Sequence, residues 1–271
     1  IGHCALTGYT AVLLGVRGFS DVQVGLTSSL MSVLTIVFQL LISNFSDHHP
    51  RIAIKKIITV LYLLAMATGG VLLAGGVPVA LMMIAFALSG AFKNTIVGLF
   101  NALVMQYVNA DIPVRIGWPR GVGSVVYAVC AYVLGRALEI YSPDILIPTF
   151  LCTTIVSIIL VLLMPDVNRL SDRSTPAFQQ DQNAARISYR QMLTGNTPFL
   201  LFLLAGVVLY IGQTTAFLFL IRVVKSRGGG ATELGISMFL QAVVEMPIMF
   251  MTPWILKRFK PANVLVVSFF A

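Results

Sequence analysis

Three ionisable side chains stand in or at the mouth of long apolar runs of this 271-residue sequence. Lys93 lies in Gly90-Ala91-Phe92-Lys93-Asn94-Thr95, Arg120 opens Arg120-Gly121-Val122-Gly123-Ser124, and Glu245 lies in Val243-Val244-Glu245-Met246-Pro247. At membrane depth such a group costs at least ~2.5–3.5 kcal/mol, so each is a functional hypothesis by default. Glu245 has no Lys or Arg within one turn, so its partner comes from another helix or from a bound solute. A carboxyl in a low dielectric holds its proton more tightly, which suits it to proton exchange near neutrality. A structural ion pair between helices is the other reading. Lys93 either pairs with Glu245 or binds a carboxylate. The planar donor fork of Arg120 suits an anionic or hydroxyl-rich ligand, or snorkels to lipid phosphates. Asn94, Asn101 and Gln213 are neutral donors, either to a solute or between helices.

The elements that position these residues are set by composition. The chain is 58% apolar and only 10% charged, with mean hydropathy +0.91, whereas a soluble domain carries roughly a quarter charged residues. A soluble protein of this size cannot hide that much apolar side chain, so the solvent is lipid. The net charge of +8 sits mostly in short loops, which points to membrane topology and away from nucleic acid. Cys4, Cys130 and Cys152 lie in apolar stretches without metal-ligand spacing and read as small lipid- or core-facing residues. The adjacent His48 and His49 point to different sides of a helix, and no metal or cofactor is expected. With three histidines in all, no compact catalytic constellation is offered, and an enzyme is not expected.

A membrane-crossing helix needs roughly 20 apolar residues. Seven complete spans are predicted, near 22–44, 53–75, 78–107, 116–139, 145–165, 198–221 and 232–256, with partial spans at 1–15 and 261–271. The ends lie inside apolar runs, so the sequence reads as cut within its first and last spans. Lys and Arg divide twelve against five between the two sides, with Lys93 on neither, and the richer side is cytoplasmic. The polar stretch 166–197 reads as a cytoplasmic linker between two halves, or as a regulatory loop.

The halves carry matching text. Val24-Gly25-Leu26-Thr27-Ser28-Ser29-Leu30 and Leu234-Gly235-Ile236-Ser237-Met238-Phe239-Leu240 share a Gly, then an aliphatic and a hydroxyl residue, at an offset of 210. Twenty-two residues beyond each Gly stand Asp47 and Lys257. Six spans separate the copies, which makes the repeat parallel, with a solute site near the bilayer midplane between two six-helix halves.

Three stretches carry a family resemblance. Ser43-Asn44-Phe45-Ser46-Asp47-His48-His49-Pro50-Arg51 resembles the loop between helices 2 and 3 of the major facilitator superfamily, matching it at Asp47 and Arg51. Arg120-Gly121-Val122-Gly123-Ser124 with Tyr127, and Glu245-Met246-Pro247 with Pro253 and Lys257-Arg258-Phe259, are similar to helices 5 and 8 of the branch holding lactose permease, phenylpropionate permease and the nucleoside permeases. The resemblance implies an all-α major facilitator fold of twelve helices, of which about helices 1 to 9 are present. Residues 1–165 would form the N-terminal bundle, 166–197 the linker and 198–271 the start of the C-terminal bundle. It implies a monomeric symporter in a bacterial cytoplasmic membrane, moving a small organic solute (anionic, aromatic, glycoside or nucleoside) with a proton. Asp47 and Arg51 would be gating residues and Arg120 a substrate contact. Where the lactose permease branch has an acid on helix 4, this sequence reads Asn101-Ala102-Leu103, which argues against lactose. Efflux of sugars or drugs by proton antiport is the alternative; a seven-helix receptor fits the span count but not the repeat.

Overall fold

A computed structural model of the protein describes residues 2–49, 52–74, 76–109, 117–164, 197–259, 263–264 and 267. Every regular element among them is helical: a π-helical turn at Cys4–Gly8, then α1 (Thr10–Val16), α2 (Asp21–His48), α3 (Ile54–Val71), α4 (Val79–Asn109), α5 (Gly117–Ile140), a 3-10 turn at Pro143–Ile145, α6 (Leu146–Leu163), α7 (Thr197–Leu218), α8 (Leu220–Ser226) and α9 (Ala231–Arg258). Lipid offers no hydrogen bonds, so a chain within it must satisfy its backbone internally, and helices do so one segment at a time. Six of the helices are long and apolar enough to cross a membrane. α9 matches α2 in length but carries Glu233, Gln241 and Glu245. The described side chains of α7 include none that is buried, and Val208 is 73% exposed. Such apolar surface is stable only against lipid or other spans. The predicted linker, apart from residue 197, lies outside the described residues.

The repeat goes further than the sequence reading took it. α1 and α8 each have seven residues, and α2 and α9 each have 28, with every boundary displaced by 210. Between the members of each pair stand Arg17-Gly18 and Arg227-Gly228, where both glycines adopt left-handed backbone, φ 82° and 80°. That conformation favours glycine because it needs no Cβ. The caps repeat as well. Ser20 N donates to Gln23 Oε1 at 2.9 Å, and Gly230 N donates to Glu233 Oε2 at 2.6 Å. Both use the third helical residue to satisfy an orphan N–H. The span expected at 198–221 is accordingly broken at Phe219, whose counterpart Tyr9 breaks the first span.

Glycines set how closely the helices approach. α4 runs between α2 and α3: the Met31 side chain of α2 occupies the place of a Cβ at Gly90, and Gln39 that at Gly98. Across the other face, Ser89 Oγ donates to Ala65 O at 3.0 Å. The Phe150 ring of α6 lies 2.7 Å from where a Cβ on Gly69 would stand. Buried Tyr9, Phe86, Phe150, Leu6 and Leu14 form the main core, and Ile58, Leu61, Ile96 and Leu99 a second between α3 and α4.

The closest crossing joins α5 to α9, which run antiparallel, with Gly121 beside Phe250 at one end and Gly135 beside Gly235 at the other. A Cβ at Gly135 would stand 2.7 Å from Ala231 O, and one at Gly235 2.6 Å from Ala131 O. Tyr9 Oη reaches into the same crossing and donates to Ala131 O at 2.6 Å, fully buried. Each helix thus presents an Ala and a Gly four residues apart, the small-residue pairing by which membrane helices approach.

Gly135→Leu and Gly235→Leu are expected to destabilise the purified protein by ~1–3 kcal/mol, because the clash is with backbone carbonyls. Gly206→Ala, which meets nothing within 4 Å, should instead stabilise it by ~0.5–1 kcal/mol. Thermal unfolding in lipid nanodiscs measures both; equal effects at the two kinds of site would refute the crossing.

Candidate functional site

From the Gly135–Gly235 crossing the α5–α9 pair runs on to Gly121 and Phe250, and between these ends the helices leave a cavity of about 360 Å³. Ser124 and Tyr127 line it from α5, Phe217 from α7, and Met238, Gln241 and Glu245 from α9. The α9 residues recur at intervals of three and four, so one helical face supplies all of them. Tyr127 Oη donates to Met238 Sδ at 3.9 Å, and it and the Cys4 thiol both stand within 3.6 Å of where a Cβ on Gly8 would be. Hydroxyl, phenol, amide and carboxylate groups converge on a space otherwise walled by Phe217, Met238 and Ala242. Cavities of ~300–1,000 Å³ with an apolar lining and a few placed polar groups are the usual size and make-up of small-molecule sites.

The residues expected from sequence are only partly gathered here. Glu245 is on the wall, exposed to the cavity rather than sealed among apolar side chains. Lys93 does not pair with it. Its Nζ is buried without a hydrogen-bond partner among the described residues, 5.4 Å from the Phe150 ring centroid. Asn94 is half-buried and Asn101 exposed, both on α4, which contributes nothing to the lining because its faces are taken up by α2 and α3. Gln213 is exposed on α7 one turn before Phe217, which lines the cavity in its place. Arg120 falls in the first turn of α5 and Asp47 in the last turn of α2; their side chains and the whole of Arg51 lie outside the described residues.

Gln241, Met238 and Phe217 were not singled out from sequence, although Gln241 stands one turn from Glu245 on the same face. Cys4 and Cys130 are buried, whereas Cys152 is exposed. His48 and His49 donate Nδ1–H to the carbonyls of Asn44 and Phe45, at 2.7 and 3.0 Å. Each ring therefore serves the end of its own helix.

The end of the bundle beyond the glycine crossing is clasped by polar groups. Arg222 of α8 pairs with Asp21 of α2. Glu139 of α5 accepts from Thr232 N at 3.1 Å, covering the first turn of α9. Arg17 bonds Asp144 through Nε at 3.0 Å and through a terminal nitrogen at 2.6 Å, fixing α1 to the turn before α6. The Arg222–Asp21 partners are each 54% exposed, so their pairing contributes only ~0.2–1 kcal/mol.

The sequence model described as the MFS_1 like family matches residues 3–271. No curated protein and no solved structure matches the chain significantly.

If the cavity is filled by water, Gln241→Cys should react with a water-soluble methanethiosulfonate reagent. Val244→Cys, 67% exposed but outside the cavity, should stay unmodified in lipid. Mass spectrometry of the intact protein distinguishes them, and equal labelling would sink the assignment.

Proposed function

The chain belongs to the MFS_1 like family, and from that premise we propose that it is a proton-coupled symporter of a small organic solute, working by alternating access. Membrane transport and the major facilitator fold come with the family; the coupling, the solute path and the direction are our reading. The observation that carries it is the cavity between α5, α7 and α9, with Glu245 on its wall. Residues 1–165 form one half of the molecule and residues 198–271 open the other, with 166–197 as the cytoplasmic linker. The cavity then lies between the halves, where a parallel repeat places its substrate.

Alternating access needs two arrangements of nearly equal free energy. The clasped end carries Arg17, Arg136, Arg222, Lys225 and Arg227, fewer basic residues than the opposite side, so it is assigned to the outside of a bacterial cytoplasmic membrane. The conformer described is closed there. Its closure rests on a small-residue crossing and on exposed ion pairs, contacts weak enough to be exchanged for others. Glu245, facing the cavity from α9, takes up a proton with the solute and releases it on the other side. Asp47 and Arg51, on the opposite side, serve as the second gate.

Uptake of a labelled solute panel by proteoliposomes, with and without an inward proton gradient, tests the coupling. Accumulation should need the gradient and fall by about tenfold or more in Glu245→Gln, equivalent to ~1.4 kcal/mol. Accumulation indifferent to the gradient would exclude proton symport. For the gate, Arg222→Gln should shift the conformer ratio by up to about fivefold, the range an exposed pair allows. Distances between spin labels at Tyr141 and Ser226 report it; an unchanged distribution would remove the pair from the gate.

A further inference from the structure

Lys93 stands fourteen residues from each end of the candidate span Val79–Tyr107. At ~1.5 Å per residue that puts it at the bilayer midplane, beyond snorkelling distance of either surface. The ammonium has three donors to satisfy, yet Nζ is buried and has no hydrogen-bond partner among the described residues. It sits over the Phe150 ring, 5.4 Å from the centroid, and beside Gly2, where a methyl group would come within 3.5 Å. A cation–π contact returns only part of what burying an ion costs. The shortfall marks a charge kept for something that binds it.

The groups between Lys93 and the cavity are neutral. The hydroxyl of Tyr127, on the cavity wall, and the Cys4 thiol both stand within 3.6 Å of where a Cβ on Gly8 would be. Resting on the transporter reading above, we infer that the solute is an organic monocarboxylate and that Lys93 binds its carboxylate. One isolated ammonium matches one negative charge, giving a neutral complex that a low-dielectric site tolerates. A phosphate would keep excess charge, and a neutral glycoside or nucleoside would leave the ammonium unpaired. Tyr127, on the cavity wall, must turn aside to admit the carboxylate.

The test uses full-length protein in lipid nanodiscs and a panel of acetate, lactate and benzoate with their neutral amides. At least one carboxylate should raise Tm by a few degrees while its amide does not. The shift should persist in Lys93→Arg and in Cys130→Ala, and vanish in Lys93→Met. Ligand-free Lys93→Met should melt at or above the wild-type Tm, because an uncompensated charge has been removed. Amides acting as well as carboxylates, no shift from any carboxylate, or loss of the response in Cys130→Ala would overturn the inference on proteins that keep Lys93. A lower ligand-free Tm in Lys93→Met, or Lys93→Gln retaining the full response, would overturn it too. In proteoliposomes, accumulation of uridine or a neutral glycoside that survives Lys93→Met would overturn the anion site alone. Failure to move any solute, charged or neutral, would remove the transporter reading itself.

Discussion

The contact on which the rest of this structure depends is the crossing of α5 and α9, where Gly135 meets Gly235 backbone to backbone. In water such an approach would be driven by burial of apolar side chains. In lipid that drive is absent, because the acyl chains are as apolar as leucine, and close van der Waals contact takes its place. The Tyr9 hydroxyl adds a hydrogen bond at the same point, so the first span is tied to α5 just where α5 meets α9. Holding two long helices together at one end also determines the other. Ser124 and Tyr127 are brought opposite Gln241 and Glu245, and the space left among them is the cavity. The small residues position the site without touching its contents.

The polar groups fall into two classes by what satisfies them. Those at the clasped end are exposed and paired, as Arg222 is with Asp21 and Arg17 with Asp144. Water competes for them, so they can exchange partners at little cost. At membrane depth the accounting is stricter. Threonines and serines there mostly return a hydrogen bond to the carbonyl one turn back, as Thr95 does to Ala91 and Thr154 to Phe150. Such hydroxyls are spent within their own helices. Lys93 Nζ, like Ser28 Oγ, has no partner among the described residues, and Glu245 faces the cavity; a charge left so at this depth costs far more than a hydroxyl.

Much of this was legible in the sequence. Span positions followed from hydropathy, since lipid imposes one length on every crossing helix. The repeat could be seen at Gly25 and Gly235, and the pairs Arg17-Gly18 and Arg227-Gly228 at the same offset would have extended it to the caps. What could not be read was which face of one helix meets which face of another. Gly135 looks no different in the sequence from Gly206, yet one sits in a backbone crossing and the other meets nothing. Lys93 and Glu245 invited pairing because both are deep and opposite in charge. The fold places Lys93 near Phe150 and Gly2, and Glu245 between α5 and α9. Hydropathy reports depth along the membrane normal but carries no azimuth, and pairing across helices depends on azimuth.

The repeat also shows how one scaffold comes to carry chemistry in one copy and structure in the other. Moving back 210 residues from Glu245 leads to Thr35, whose hydroxyl donates to Met31 O within α2. The counterpart of Gln241 is Met31, seated on Gly90 of α4. Cap, left-handed glycine and helix length are shared by the two copies, because both must enter the membrane from the same side at the same angle. The residues in the middle of each span have diverged, because α2 closes against α4 while α9 borders an open space. Duplication thus conserves what the lipid demands at the helix ends and leaves the midplane free. The midplane is therefore where the two copies should differ most, and where a site is to be sought in such a fold.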